Sequence, residues 1–284
     1  METKLLLGDC LELMADIPDQ SIDLIFADLP YATTKCKWDI AIPLVDYVEI
    51  GKKKLTKEEF FLQNYKKEIP LKETKHMWKE HSKPGLWTSY DRILKKNGCI
   101  LLFAQPPFDK ALASSNLNMF RYEWIWEKTS ATGHLNAKKM PMKAHENILV
   151  FYKKLPTYNP QMKEGHEPVH SFRKRAEAQN NCELYNRTQK DIIGGGNTTR
   201  YPRDVLKFSS DKQKSHLHPT QKPLDLCRYM IRTYTNEGDL VLDNCMGSGT
   251  CGLAAIMENR RFIGIEKEEK YYNIAKERIE QKFL

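Results

Sequence analysis

Residues 239–266 run DLVLDNCMGSGTCGLAAIMENRRFIGIE, from Asp239 to Glu266, and no other segment constrains the architecture as tightly. Asp239 to Asp243 is a short apolar run with the character of a buried strand, NCMGSGT is a glycine loop, CGLAAIMENR has the composition of a helix, and RFIGIE is a second strand. Glycines at such a strand-to-helix turn let the backbone bend sharply and let a ligand lie against it with no Cβ in the way. Gly247, Gly249 and Gly252 satisfy the G-x-G-x-x-G spacing, and Glu266 lies 19 residues beyond Gly247 at the end of the next strand. From there a carboxylate accepts both hydroxyls of a ribose.

That pattern admits a nicotinamide-dependent oxidoreductase, and a tight turn without a ligand is the bland alternative. Two details point elsewhere. The dinucleotide fingerprint puts its first glycine close behind the strand, whereas Asp243-Asn-Cys-Met intervenes here. A carboxylate beside the loop also suits a cationic ligand better than a pyrophosphate, which wants bare amides and positive charge. S-adenosylmethionine, with its ammonium and sulfonium, meets both conditions.

Outward from this segment the chain alternates strands and helices. KLLLG, Ile22 to Ala27, CILLFAQ, YEWIWEK and ENILVFYK read as strands; CLELMADI, WTSYDRILKKNG with Gly98 as its stop, Phe108 to Asn116, LDLCRYMIRTYT and EEKYYNIAKERIEQ read as helices. The alternation predicts an α/β fold, a mostly parallel sheet with helices on both faces. Ligands on such a sheet bind beyond the carboxyl ends of the strands, and Asp9, Asp28 to Tyr31 and Asp243 to Thr250 all fall at predicted strand ends.

The chain has 284 residues, 40% of them hydrophobic, with no run near the roughly 18 uninterrupted apolar residues that a membrane span needs. Its first residues offer only a four-residue approach to an apolar stretch that acidic residues follow at once, which is not the pattern of a signal peptide. Seven cysteines without a C-x-x-C pair predict free thiols in a reducing, cytoplasmic setting and no metal centre. Lys and Arg number 45 against 37 Asp and Glu, a net +8. The excess is gathered. Residues 153–217 hold 13 basic against 7 acidic residues (+6), residues 44–84 hold 10 against 7 (+3), and the remaining 178 carry −1. Residues 153–217 read as a loop-rich insertion, and 44–84 as a helical excursion with a basic face, Phe60, Phe61, Tyr65 and Ile69 falling at helical spacing. Gathered positive charge points to a polyanion.

Asp28-Leu29-Pro30-Tyr31 combines a carboxylate, a carbonyl fixed by proline and an aromatic ring at a strand end. Four such letters also describe an ordinary turn. Joined to the glycine loop and the basic insertion, they fit methyl transfer to the exocyclic amine of a base. If Asp28 and the Leu29 carbonyl accept its two N–H groups, the nitrogen shifts towards tetrahedral and its lone pair can point at the methyl. Such charge-assisted bonds are the stronger kind. The base must first leave the duplex, and Tyr31 would stack on it.

These residues resemble the DNA amino-methyltransferases, which make N6-methyladenine or N4-methylcytosine. Asp28-Leu29-Pro30-Tyr31 resembles the family's D-P-P-Y motif, LDNCMGSGT its L-D-P-F-x-G-S-G-T loop, His218-Pro-Thr-Gln-Lys-Pro223 its H-P-T-Q-K-P segment, and Asp9 its G-D carboxylate. The resemblance implies a Rossmann-like S-adenosylmethionine-dependent methyltransferase fold in the circularly permuted, beta-type motif order. It implies a catalytic domain of 1–152 and 218–284 that contains the 44–84 insertion, and a target-recognition region at 153–217. It makes Asp28, Leu29, Pro30 and Tyr31 catalytic, and assigns Asp9, Lys222, Asp243, Cys245, Gly247, Ser248, Gly249, Thr250 and Glu266 to the cofactor, with Lys222 at its methionine end. Asp28 favours adenine, since the cytosine branch more often begins the motif with Ser; N4-cytosine is the alternative. Double-stranded DNA is the implied partner, alongside a homodimer and a cognate restriction endonuclease. Leu29 stands where the family has proline, implying a less rigid turn, and Asn244 and Cys245 stand where it has Pro and Phe, implying the loss of a ring near the cofactor's adenine. A DNA-binding protein without catalysis is a third class these departures leave open.

Overall fold

Strands that are apolar at nearly every position, such as IDLIFA at 22–27, must bury both faces, and only a sheet covered on both sides allows it. A computed structural model, describing residues 2–31, 39–174, 192–210 and 221–281, shows that sheet. The first part of the chain forms β1 (Thr3–Leu7), α1 (Cys10–Leu13), β2 (Ile22–Ala27), β3 (Tyr47–Ile50), β4 (Lys53–Thr56), α2 (Lys57–Lys66), α3 (Leu71–His81) and α4 (Leu86–Ile93). The middle supplies β5 (Leu94–Ala104), α5 (Phe108–Ser115), β6 (Phe120–Thr132), β7 (Lys143–Phe151), β8 (Phe172–Lys174), β9 (Ile192–Gly194) and β10 (Val205–Phe208). The last part contributes α6 (Leu224–Tyr234), β11 (Leu240–Asp243), α7 (Thr250–Met257), β12 (Arg261–Glu266) and α8 (Glu269–Glu280).

Eight strands join in the order β1-β12-β11-β2-β5-β7-β6-β10, and only β7 runs against its neighbours. The expected α/β architecture with a mostly parallel sheet is therefore present. β1 lies against β12, with Leu7 opposite Glu266, so the first strand of the chain completes the edge laid down by the last one. This is the circular permutation in physical form. At the junction of β11 and β2 the connections turn to opposite sides, and the carboxyl ends of β1, β12, β11 and β2 share one edge. Two apolar clusters fill the layers: Phe26, Phe103, Trp126, Ile231 and Phe262 among those on one face, Ile25, Tyr90, Ile100, Phe151 and Leu242 on the other.

The structure departs from the sequence-based expectations in three places. Gly98 does not stop a helix. α4 ends at Ile93 because Leu94 is already extended, and Gly98 lies within β5 where the pairing with β2 skips register; a Cβ there would stand 2.7 Å from a Leu94 methyl and 3.1 Å from the Asp23 carbonyl. The 44–84 excursion is helical only from Lys57 onward. It opens with the β3–β4 hairpin, so Lys53 and Lys54 are strand residues, and a reciprocal cap between Thr56 and Glu59 then starts α2. Phe60 and Phe61 close α2 onto α3 through Trp78, at ring separations of 5.7 and 6.2 Å, while Tyr65 is exposed.

The third concerns 153–217. The chain divides into two compact units, Met1–Asn159 with Asp204–Leu284, and Pro160–Arg203. Val205–Phe208 is thus an edge strand of the main sheet, beside β6, and not part of the insertion. Within the smaller unit β8 and β9 pair antiparallel, and the Arg200 guanidinium ties the backbone together by donating to the carbonyls of Glu167, Asn197 and Thr199. Arg175 and His218 to Thr220 lie outside the described residues, as do Cys36 and Cys182. The described cysteines 10, 99, 227, 245 and 251 form no disulfide with one another. Among the described residues no helix is long and apolar enough to cross a membrane.

Candidate active site

Four adjacent strand ends deliver four carboxylates to one cleft of about 420 Å³: Asp9 after β1, Asp28 after β2, Asp243 at the end of β11 and Glu266 at the end of β12. The cleft also gathers Leu29, Pro30, Tyr31 and Lys222, and from the glycine loop Cys245, Gly247, Ser248 and Thr250. Of the residues assigned to catalysis or to the cofactor, Gly249 alone does not line it. It caps α7 from behind at φ +75°, its Cα facing Ala275.

The glycine loop is held from both sides. In front, the Gly247 N–H donates to Glu266 Oε2 at 2.8 Å and the Glu268 N–H to Oε1 at 2.9 Å. Burial raises the pKa of Glu266, with these amides working against it. Behind, Arg278 of α8 donates to the Ser248 carbonyl at 2.5 Å, the Ser248 hydroxyl at 3.1 Å and the Thr250 hydroxyl at 3.2 Å. Asp243 forms the floor: it accepts from the Cys245 N–H at 3.0 Å, and burial pushes its carboxyl well above the usual carboxylate range. Asp9 caps α1 through the Leu11 N–H and accepts from Lys267 Nζ, both at 3.0 Å; these outweigh its burial and lower its pKa.

At the other end of the cleft, Asp28 accepts from the Tyr31 hydroxyl at 2.7 Å and from Lys222 Nζ at 2.5 Å. Lys222 also faces Glu146 at 3.3 Å, and Glu146 binds Lys128 at 2.7 Å, so two carboxylates and two ammonium groups form a chain. Burial, with the charge of Glu146, holds the Asp28 carboxyl above its ordinary value against the pull of Lys222. Burial works against both Glu146 and Lys222, but their partners prevail, lowering the one and raising the other. The Tyr31 ring packs on Phe108 at 5.0 Å. Lys222 is thus found on the Asp28 carboxylate.

Both departures from the family motifs have local compensation. Leu29 is 3% exposed and packs in the apolar cluster beneath the turn, so burial of its side chain anchors what a proline ring would stiffen. Asn244 is buried and accepts from the Tyr90 hydroxyl at 2.5 Å, which fixes the loop where a proline is usual. Glu146, Lys128, Tyr90 and Arg278 escaped the sequence reading. Only Glu146 left a signal there, as a charged residue opening the apolar run ENILVFYK.

The donor set fits S-adenosylmethionine. Asp9, Asp243 and Glu266 present carboxylates to the cleft, where an ammonium, a sulfonium and a ribose diol all want acceptors. Of the lysines that line the same cleft, Lys267, Lys222 and Lys128 are each committed to a carboxylate and Lys54 stands 4.0 Å from Glu49, leaving a poor site for a pyrophosphate.

A family model described as DNA methylase matches residues 22–277. The chain is 25% identical over 287 residues to the Type II methyltransferase M.HpaI of Haemophilus parainfluenzae, spanning 100% of this chain and 76% of that one. It is 28% identical over 284 residues to the DNA adenine methyltransferase YhdJ of Escherichia coli (strain K12), spanning 96% and 81%. Among solved structures, the M1.HpyAVI–SAM complex aligns with a TM-score of 0.57 at 22% identity, over 97% of this chain and 98% of that one. The cytosine-N4-specific PvuII DNA methyltransferase aligns with a TM-score of 0.58 at 18% identity, over 98% and 86%. At these identities the structural likeness speaks to the fold.

Proposed function

The chain belongs to the N6/N4 DNA methylase family, and from that premise we propose that it transfers a methyl group from S-adenosylmethionine to the N6 amino group of an adenine flipped out of double-stranded DNA. The observation that carries the reading is the opening of Asp28-Leu29-Pro30-Tyr31 into the same cleft as the glycine loop and Glu266. Nucleophile and methyl donor would share one enclosure there. Holding them at near-attack distance is worth at best roughly 7–11 kcal/mol.

When bound, S-adenosylmethionine supplies an electrophilic methyl on a cationic sulfur. Glu266 would take its ribose hydroxyls, Asp9 would approach its adenine, and the loop from Asp243 through Thr250 would lie along the methionine portion. Asp28 would accept one N–H of the target amine and the Leu29 carbonyl the other, with Pro30 restricting the turn between them. A carboxylate has about four lone-pair sites, so Asp28 keeps acceptor capacity beyond Tyr31 and Lys222. Lys222 holds the carboxylate in place, and Glu146 and Lys128 hold Lys222. Flipping costs a few kcal/mol, of which stacking on Tyr31 would return about 1–3 kcal/mol.

Adenine is favoured over cytosine by Asp28 at the head of the motif. The basic Pro160–Arg203 unit would read the target sequence. A homodimer and a cognate restriction endonuclease are the partners this reading suggests, in a cytoplasm that keeps the thiols reduced. Analysis of methylated bases in DNA treated with the protein and S-adenosylmethionine tests the proposal. N6-methyladenine is expected; N4-methylcytosine in its place would replace the adenine reading, and no methylated base at all would sink both.

A further inference from the structure

On β6, Trp126, Lys128, Ser130 and Thr132 all line the cleft. This wall ends in the turn between β6 and β7, residues 133–142, and from Thr129 to His145 every residue is exposed. Leu135 at the tip is 97% exposed, and Met140 and Met142 are half exposed beside it. Exposed apolar side chains carried by one short turn mark a contact surface. The charge around them names the partner: between Glu127 and Glu146 there is no acidic residue, while Lys128, Lys138, Lys139 and Lys143 fall in that stretch, the last three exposed. An apolar tip in a lysine collar suits a polyanion with an apolar interior, and a DNA duplex is one.

A base drawn out of the stack leaves a gap one base wide, and leucine or methionine wedges are able to enter between base steps. We propose that the 133–142 turn is a wedge that enters the duplex beside the target, with Leu135 in the space the base vacates and Lys138, Lys139 and Lys143 on the flanking phosphates. The proposal rests on the reading of the chain as a methyltransferase of duplex DNA. It adds the element that opens the duplex.

The test uses the full chain and a duplex carrying its own target sequence, mapped from modified DNA of cells that express it. A second duplex is identical except for an abasic site opposite the target, so that the target starts unpaired. With L135A/M140A, single-turnover methylation of the intact duplex should slow about tenfold, equivalent to about 1.4 kcal/mol, while the abasic duplex should be methylated at nearly the rate of the unaltered protein. An unchanged rate on the intact duplex would overturn the wedge, as would equal slowing on both substrates. A changed oligomeric state with methylation intact would overturn it too, assigning the tip to a second copy of the chain. If the unaltered protein methylates no duplex, the proposed function fails first and the wedge with it.

Discussion

Asp28 is shared between a tyrosine hydroxyl and a lysine ammonium, and each neighbour tunes when it can accept a hydrogen bond. The ionised carboxylate accepts the target N–H far more strongly than the neutral acid does, so transfer should fall as pH drops through the Asp28 pKa, which burial and Glu146 place above the ordinary value. Lys222 lowers that pKa and Glu146 raises it. Lys222→Met should therefore shift the acid limb of the single-turnover rate to higher pH, and Glu146→Gln to lower pH. Shifts in the same direction would show that the chain of charges does not act through Asp28. Asp28→Ala should abolish transfer while calorimetry finds S-adenosylmethionine affinity within about threefold, a change well under 1.4 kcal/mol. Transfer that survives Asp28→Ala would remove the aspartate from the mechanism. The Asp28 motif was legible from four consecutive letters. Glu146 and Lys128 were not, because β7 and β6 bring them to the Asp28–Lys222 pair from 118 and 100 residues beyond Asp28 and no local spacing records it.

The glycine loop shows what an element can and cannot reveal in advance. Its strand, turn and helix were plain, since apolar runs and glycines act locally. Its fastening was not: Glu266 was read as a ribose acceptor, and it also holds the Gly247 amide. Glu266→Ala should weaken cofactor binding by about tenfold or more, a loss of at least 1.4 kcal/mol. An unchanged dissociation constant would contradict the ribose role. Gly249→Ala should destabilise the fold by about 1–3 kcal/mol, because φ is +75° and the new methyl would stand 2.9 Å from Ala275 Cβ; thermal unfolding measures it. The β3–β4 hairpin was hidden for the opposite reason. Its strands are four residues each and one crosses a lysine run, so neither shows a periodicity that outweighs the helices beside it.

Across the whole molecule the sheet carried its own signature, and the charge distribution located the excess without locating the boundary between units, because Val205–Phe208 has too few residues to announce a strand. In the Pro160–Arg203 unit Lys163, His166, Tyr201 and Arg203 surround one hollow with the structurally committed Arg200. If that hollow meets phosphates, Lys163→Ala and Arg203→Ala should each reduce the slope of log affinity for DNA against log salt by about 1 and leave cofactor affinity unchanged. An unaltered slope would place the phosphate contacts elsewhere. The pairing of β1 with β12 also reaches into how the molecule is made. Asp9 and its partner Lys267 are 258 residues apart, so at about 5–20 residues per second the first carboxylate waits roughly 13–50 s on the ribosome for its lysine. During that interval β2, β5, β6 and β7 have already been synthesised, while β1 has no neighbour to pair with. The pocket for the methyl donor can therefore close only after Lys267 has been made, later than β2, β5, β6 and β7.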